Sequence, residues 1–288
     1  LTSLGLQVVV ANPNQLHLIS HSQRKTDRAD AEILARLARA DLSLLRPVHH
    51  RSEEAQAHVE LLRARDAVVR ARTLQINHVR SALKAFGCRD PACDATTFDW
   101  KAPPHVPKQL EPALRHLLRS IGVLTRLIRR YDKLVEALCE ERYKETERLR
   151  KIKGVGPITS LAFVLVLGDK NRFAKSRRVG SYLGLTPGVS QSGDSDPQKR
   201  VTKAGNGFLR RLLVQSSHYI LGRSDQDSAL RRAGMELMER GGKRGKKRAV
   251  IAVARRLAVT MHRIWVTGQD WDPLRGARPL APQTPAEG

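Results

Sequence analysis

The sequence predicts a short α/β piece, a long helical arm and a mainly α-helical C-terminal domain. Three observations indicate these parts: a β-branched run near the start, two long stretches with apolar residues at helical spacing, and a Gly-x-Gly-Pro turn before an apolar helix. The predicted limits are 1–48 for the α/β piece, 49–146 for the arm, 147–272 for the C-terminal domain and 273–288 for a disordered tail.

The α/β piece begins with LQVVVANP, residues 6–13, a β-branched run that ends at Asn-Pro. Such a run is typical of a buried strand. Further along, apolar residues recur at helical spacing after Ser and Thr residues that suit a helix start: Ile33, Leu34, Leu37 and Ala38. We therefore expect a strand followed by a helix.

The arm is predicted from two long helices. In the first, from about Ser52 to Ala85, apolar residues recur every seven positions: Leu62, Val69, Ile76 and Leu83. In the second, the steps alternate between three and four, as in a coiled-coil seam: Leu114, Leu117, Ile121, Leu124, Ile128, Tyr131, Val135 and Leu138. The two helices are expected to pair as an antiparallel hairpin or between protomers. A plain helical hairpin packed on a domain is the alternative.

The C-terminal domain opens with KIKGVGPITSLAFVLVLGD, residues 151–169. A basic stretch, a Gly-x-Gly-Pro turn and an apolar helix, in that order, are typical of a helix-hairpin-helix. In that motif the backbone N–H groups around Gly154 and Gly156 point at a phosphate, aided by the helix dipole. A simple helical turn is the alternative interpretation.

The charge balance indicates a polyanionic partner. The chain has 52 Lys and Arg against 28 Asp and Glu, a formal net charge of +24. A compact fold with such an excess repels itself unless a polyanion shares its surface, so nucleic acid is the expected partner. A membrane surface competes for basic chains, but no apolar run approaches the ~20 residues of a spanning helix. We expect a soluble, cytoplasmic protein without membrane contact.

Asp27 and Asp30 lie three residues apart at the start of the first predicted helix, which places both carboxylates on one face. Two hard oxygen ligands on one face suit Mg²⁺, which also takes water and phosphate oxygens. Acidic residues in a first helical turn also simply complement the helix dipole, and the spacing leaves both interpretations open.

The loop GLTPGVSQSGDSDPQKRVTKAGN, residues 184–206, combines turn-forming glycines with serines and a basic end. Ser192 precedes Gly193 in this loop, which contains no His to form a Ser–His pair. A serine nucleophile in a cationic, phosphate-binding setting and an ordinary turn serine are both compatible with the pattern. The residues predicted to neutralise phosphates are Lys199, Arg200, Lys203, Arg210 and Arg211.

The order of these elements resembles the insertion-sequence transposases of the IS116/IS110/IS902 type, the bridge-RNA-guided recombinases. The motifs KTDRADA and YLGLTP, the second followed by Ser-Gly and by Leu-Arg-Arg-Leu-Leu, are specific in combination. The stretches that carry the resemblance are 8–37, 149–169, 172–217 and 245–265.

The resemblance implies a RuvC-like (RNase H-like) domain with four acidic residues that bind Mg²⁺, of which Asp27 and Asp30 match the last two. It implies that the helical arm drives dimer and tetramer assembly. It also implies that Ser192 attacks DNA and forms a 5′-phosphoserine link. Donor and target DNA and a structured bridge RNA are the implied partners, and binding to DNA implies association with the bacterial nucleoid.

The sequence departs from the family pattern at its start. The family's first Asp and its Glu lie upstream of the strand at 6–13, and the chain begins at Leu1 without them. We therefore expect an N-terminally incomplete copy or record, in which two carboxylates hold Mg²⁺ poorly. A non-catalytic nucleic-acid-binding remnant, using the helix-hairpin-helix and the basic helices alone, is the second hypothesis.

Overall fold

The computed structural model describes residues 4–11, 16, 26–45, 47–48, 51–89, 91–188, 199–222 and 226–276. The chain divides into two compact units, Leu1–Gln56 and Ala57–Gly288. The helices of the predicted arm thus belong largely to the same unit as the C-terminal helices, and the predicted domain limits stay a prediction.

The first unit contains one α-helix among its fully described elements, α1 (Asp27–Ala40). Thr26 caps it, because its side-chain oxygen accepts a hydrogen bond from the amide of Ala29 at 3.2 Å. A short 3₁₀ turn, Leu42–Leu45, follows the helix. A second long helix, α2 (Glu53–Ala85), begins in this unit and continues into the next.

The predicted α/β piece, and with it the RuvC-like remnant, is wrong for the described residues, whose fold is mainly helical. Residues 6–11, the described part of the predicted strand, have no regular secondary structure. A strand is stable only when a neighbour satisfies its backbone groups. Among the described residues, one such bond reaches this segment, from the amide of Val48 to the carbonyl oxygen of Val10 at 2.8 Å. The β-branched composition alone does not supply the missing partner.

The second unit begins with a helical hairpin formed by α2 and α4 (Glu111–Glu141). Arg65 of α2 donates to Asp132 of α4 at 2.6 Å, and Arg72 donates to Thr125 at 3.3 Å. Partners later in α2 thus match positions earlier in α4, so the helices run antiparallel within one chain. The connection contains the short helix α3 (Phe98–Lys101).

An apolar cluster closes the end of the hairpin next to the connection. Phe98 and Ala102 from the connection are fully buried in it. The cluster consists of Ile76, Val79, Leu83, Phe98, Ala102, Leu114, Leu118 and Ile121. Side chains of α2 and α4 therefore share one core with the connection between them.

The predicted seam of α4 is half correct. The positions confirmed as buried are Leu114, Ile121, Ile128 and Val135. Three of the other four predicted positions are replaced by their next neighbours, so that Leu118, Thr125 and Cys139 are buried in place of Leu117, Leu124 and Leu138, and the fourth, Tyr131, is half-buried. At one of these three positions the apolar pattern points to the wrong neighbour because Thr125 is polar yet buried, and its hydroxyl oxygen accepts from Arg72.

The remaining helices of the second unit pack against one another around one buried apolar helix. The helices that follow the hairpin are α5 (Glu145–Arg150), α6 (Pro157–Leu167), α7 (Arg178–Tyr182), α8 (Gly207–Gly222), α9 (Ala229–Arg240) and α10 (Gly245–Thr267). Every residue of α6 from Thr159 to Leu167 is buried, and α10 packs on α7, α8 and α9. Despite the apolar character of α6, none of the helices described is long and apolar enough to span a membrane.

Candidate active-site loop and nucleic-acid interface

The turn between α5 and α6 lies where the sequence predicts one. Gly154 has a φ of +92°, and a Cβ there would lie 3.0 Å from a ring carbon of Tyr219 and 3.2 Å from the carbonyl oxygen of Ser216. Gly156 is exposed and precedes α6, which has no side-chain cap. Uncapped amides at a helix start suit an anion. The binding of a nucleic-acid backbone at Gly154 and Gly156 stays a prediction.

The loop that contains Ser192 has a paired base, formed by residues 184–188 and 199–205. An isolated antiparallel bridge joins Pro187 to Val201. Backbone hydrogen bonds run from Gly188 N to Arg200 O, from Thr202 N to Thr186 O and from Lys203 N to Gly184 O, at 3.0, 3.0 and 3.1 Å. Ser192 itself lies outside the described residues, and its role stays a prediction.

Two glycines allow the ends of this loop to meet. Gly184 has a φ of +67°, and a Cβ there would lie 2.3 Å from the amide nitrogen of Ala204. Gly205 has a φ of +73°, and its Cβ would lie 2.1 Å from the carbonyl oxygen of Tyr182. Neither approach leaves room for a side chain, so the base requires glycine on both sides. We refer to residues 182–188 and 199–205 as the loop base.

Arg210 connects both sides of the loop base. Its Nη1 donates to the carbonyl oxygen of Leu183 at 3.0 Å and to that of Ala204 at 2.7 Å. Asn206 caps the same helix, since its Oδ1 accepts from the amide of Leu209 at 2.9 Å. The predicted binding of a phosphate by Arg210 stays a prediction, but its Nη1 is already engaged within the protein.

Arg211, the next residue, contacts the helical hairpin. It donates to Oδ1 of Asp66 on α2 at 2.6 Å, and its guanidinium lies over the ring of Phe208. Asp66 also pairs with Arg70 at 2.6 Å. The two predicted phosphate-binding arginines of α8 therefore face different parts of the protein, one the loop base and the other the hairpin.

The other predicted basic residues lie on the loop base itself. Lys199, Arg200 and Lys203 are all exposed. Lys203 has a φ of +55°, a left-handed conformation that residues other than glycine seldom adopt. Three exposed cations on a fixed backbone concentrate positive charge where the serine segment begins and ends. Their contact with phosphates stays a prediction.

Asp27 and Asp30 occupy the first turn of α1, in the first unit. Asp30 lines a largely apolar cleft of about 750 Å³, and its Oδ1 is buried without a partner there. An unpaired carboxylate oxygen fits the hard-oxygen ligand set of Mg²⁺. No cluster of three or more His, Cys, Asp or Glu side chains that could hold a metal is found among the described residues. The two carboxylates thus supply only part of a ligand shell.

A stacked cluster under α7 supports the start of the loop base and was not predicted from the sequence. The guanidinium of Arg172 lies 4.7 Å from the ring centroid of Tyr182 and 5.6 Å from that of Phe173. Phe173 in turn meets His262 of α10 edge to face. The sequence signal for this cluster was the spacing of Phe173 and Tyr182, and such a spacing is too common to identify a cluster.

His262 is buried at the bottom of this cluster. Its Nε2 lies 3.0 Å from the carbonyl oxygen of Lys170, which can only accept, so Nε2 carries the proton. Its Nδ1 therefore accepts from the hydroxyl of Ser176, at 2.9 Å. Burial lowers the pKa of His262 from its ordinary value of 6.5, because charging the ring inside the core costs solvation.

Stability is expected to depend on pH through His262. Because the folded-state pKa lies below 6.5, the unfolded chain binds a proton first as the pH falls. The titration of His262 therefore does not reduce the free energy of unfolding above about pH 6.5. The free energy of unfolding decreases as the pH falls through that value toward the folded-state pKa. The substitution His262→Gln should remove this slope from a series of thermal midpoints measured between about pH 8 and 5.

The exposed His218 on α8 provides the matched control. His218→Gln should leave the slope unchanged. Carboxylates whose pKa values are lowered, such as Asp94, titrate at more acidic pH and do not enter this window. An unchanged slope in His262→Gln would contradict the assignment.

Comparison with known proteins identifies the family. Residues 146–233 match the model of the IS116/IS110/IS902 transposase family, and residues 1–87 match a second model that is also described as a transposase. The transposase for insertion sequence element IS1111A of Coxiella burnetii is 30% identical over 268 residues, which cover 88% of this chain and 70% of the relative. The chain belongs to the IS116/IS110/IS902 transposase family.

Two further relatives extend the comparison of this transposase. The transposase for IS1328 of Yersinia enterocolitica is 31% identical over 239 residues, covering 79% of the chain and 68% of the relative. The pilin gene-inverting protein of Moraxella lacunata is 27% identical over 257 residues, covering 87% of the chain and 70% of the relative. The resemblance stated from the motifs is confirmed, and membership of the family implies DNA as a partner and a DNA-recombining enzyme class.

The family matches fall on the two regions described above. The match over residues 146–233 contains the turn at Gly154, the loop base and Arg210. The match over residues 1–87 contains Asp27, Asp30 and the whole of α2. The features the transposase sequence did not reveal are the contacts between them, above all Asp66 with Arg211.

Proposed function

We propose that this transposase cuts and rejoins DNA strands of an insertion element with Ser192 as nucleophile. The observation that supports the proposal most directly is the loop base. A loop closed by two crowded glycines and by an arginine that bonds both of its sides begins and ends at fixed points, which a catalytic serine requires.

In the proposed reaction, the hydroxyl oxygen of Ser192 attacks a DNA phosphorus. A bond forms between this oxygen and phosphorus as the O–H bond of Ser192 breaks. The bond from phosphorus to the 3′-oxygen breaks, and a proton taken up by the 3′-oxygen balances the one that the serine releases. The product is a 5′-phosphoserine link. Rejoining reverses the step on a new 3′-hydroxyl. The exposed Lys199, Arg200 and Lys203 would stabilise the charge that develops on the phosphate oxygens.

Asp27 and Asp30 are proposed to hold Mg²⁺ together with water and phosphate oxygens. The unpaired Oδ1 of Asp30 supports this assignment. When bound, Mg²⁺ neutralises charge on phosphate oxygens and stabilises a leaving oxygen. Asp27 and Asp30 themselves would hold the ion in place, a role that carboxylates on the first turn of a helix can fulfil.

The nucleic-acid surface is proposed to include Gly154, Gly156 and the cations of the loop base. Donor and target DNA are the proposed substrates, and a structured guide RNA is the proposed second partner. Assembly into a homodimer or tetramer through the helical arm is part of the same proposal. The formal net charge of +24 supports a surface that binds polyanions over a large area.

The proposal is tested by locating the covalent link. The chain is mixed with 5′- and 3′-labelled donor DNA, guide RNA and Mg²⁺, denatured, digested with nuclease and protease, and analysed by mass spectrometry. The expected result is one nucleotide joined through its 5′ phosphate to the peptide that contains residues 189–198. A link at another residue, or hydrolysed ends without a link, would contradict the serine step and indicate a metal-dependent nuclease in the second case.

A non-catalytic nucleic-acid-binding protein is the second candidate, favoured by the exposed cations and the uncapped start of α6. Its discriminating result is DNA binding without any covalent link. In both cases affinity for random duplex DNA should fall with salt at a slope of about 0.9 per neutralised phosphate. A flat salt response would exclude backbone binding in either form.

A further inference from the structure

We propose that Arg210 is a positioning residue that fixes the loop base and thereby the place of the serine segment, and that it does not serve as a phosphate contact. The proposal rests on the proposed function of Ser192. It assigns to Arg210 a role different from the one that its charge suggests. The assignment follows from what the guanidinium bonds, from the crowding around it and from the residues beside it.

The two carbonyl oxygens that Arg210 bonds lie on opposite sides of the loop. Leu183 lies at the start of the segment that enters the loop and Ala204 lies near the end of the segment that leaves it, with distances to Nη1 of 3.0 and 2.7 Å. A single nitrogen thus holds together positions that are far apart in sequence. Hydrogen bonds from a charged donor are about twice as strong as neutral ones, so this contact resists separation of the two sides.

The backbone around Arg210 is arranged to allow this contact. Gly184 and Gly205 adopt left-handed conformations, and each passes so close to the opposite backbone that no Cβ fits. Lys203 keeps a left-handed φ of +55° between them. For a residue other than glycine, a conformation of this kind persists only where surrounding contacts hold it. Among the described residues, Arg210 provides the side-chain bonds that reach both sides.

The basic residues near the loop base differ in their exposure and in what they bond. Arg210 is half-buried and bonded to the protein, whereas Lys199, Arg200 and Lys203 are exposed on the loop base. Removal of an exposed cation should weaken DNA binding. Removal of the Arg210 bonds should leave binding intact and displace the reacting serine. A displacement of about 1 Å can cost about 100-fold in rate.

The test compares Arg210→Met with Lys203→Met in the full chain. Both substitutions keep an unbranched apolar stem and remove one positive charge. Adduct formation is measured in single turnover at saturating labelled DNA, and affinity is measured across a salt series. For Arg210→Met we expect about 100-fold slower adduct formation with unchanged affinity and salt slope. For Lys203→Met we expect weaker binding and a slope reduced by about 0.9.

Hydrogen exchange provides a readout that does not depend on catalysis. The amides of Gly188, Thr202 and Lys203 donate across the loop base. In Arg210→Met they should exchange faster, while the amides of α6 and α10 keep their protection. Unchanged exchange at these three amides would overturn the proposal, as would weaker binding with an unchanged rate at saturation.

Two controls separate failure of folding and failure of the proposed function. If Arg210→Met does not fold, Arg210→Lys, which keeps a single charged nitrogen, should restore part of the protection and part of the rate. A lower affinity of Arg210→Lys for DNA with unchanged protection of the three amides would overturn the proposal. If Ser192→Ala still forms the adduct, the proposed nucleophile is wrong, and the exchange of the three amides still decides whether Arg210 holds the loop base.

Discussion

Replacement of Ser192 by alanine is expected to abolish the covalent protein–DNA link, with a fall in its rate of formation of more than about a thousandfold. Alanine has no side-chain oxygen to attack phosphorus, so the bond of the link cannot form at this position. Gel shift of labelled DNA before and after denaturation measures the link and the non-covalent complex in one experiment. Non-covalent binding should be unchanged, because the hydroxyl contributes little to a surface dominated by cations.

Ser190 and Ser195 are the matched controls, since they lie in the same loop and their change to alanine removes the same atom. Ser190→Ala and Ser195→Ala should retain the link within a few-fold. A link that persists in Ser192→Ala but disappears in one of the controls would transfer the role to that serine. A link that persists in all three variants would exclude the loop as the source of the nucleophile.

Replacement of Gly205 by alanine is expected to disrupt the loop base and to destabilise the fold by about 2 to 4 kcal/mol. The added Cβ would lie 2.1 Å from the carbonyl oxygen of Tyr182, and this oxygen belongs to the backbone and cannot rotate away. The left-handed φ of +73° adds a further cost of about 1 kcal/mol for an L side chain. In a unit of this size such a loss lowers the thermal midpoint by about 5 to 15 °C.

Gly188 offers the control for Gly205 within the same loop base. A Cβ at Gly188 meets side-chain atoms of Lys199 at 3.7 Å, an ordinary contact, and the backbone there is not left-handed. Gly188→Ala should therefore change the free energy of unfolding by less than about 0.5 kcal/mol. Equal stability of the two variants, measured by urea denaturation, would show that the close approach at Gly205 is not required.

The sequence predicted most of the second unit because its helices are determined by local patterns. The long apolar helix at Pro157–Leu167 follows directly from its composition and from the glycine turn before it. The hairpin was predicted in outline, including the antiparallel alternative. Its polar interior was not predictable, because the bond between Arg72 and Thr125 joins two buried polar residues far apart in the sequence, and a pattern of apolar residues cannot register such a pair.

The first unit was predicted less well, and the reason is the non-local nature of sheets. The run at residues 6–11 has strand composition, but composition does not provide a neighbouring strand. For the candidate site, the sequence identified the loop, its serine and its cations. It could not identify the closure by Gly205 and Arg210, because both act on residues that lie more than a helical turn away along the sequence.

The polar contacts inside the hairpin constrain how the length of this arm can change. Arg65 with Asp132 and Arg72 with Thr125 are one heptad apart on each helix. An insertion of a few residues in only one helix would slide a buried arginine, only 8% exposed, away from its partner and against apolar side chains. Lengthening or shortening the arm therefore demands matched additions or deletions in both helices, in whole heptads. Among homologues, arm length should vary in such paired steps.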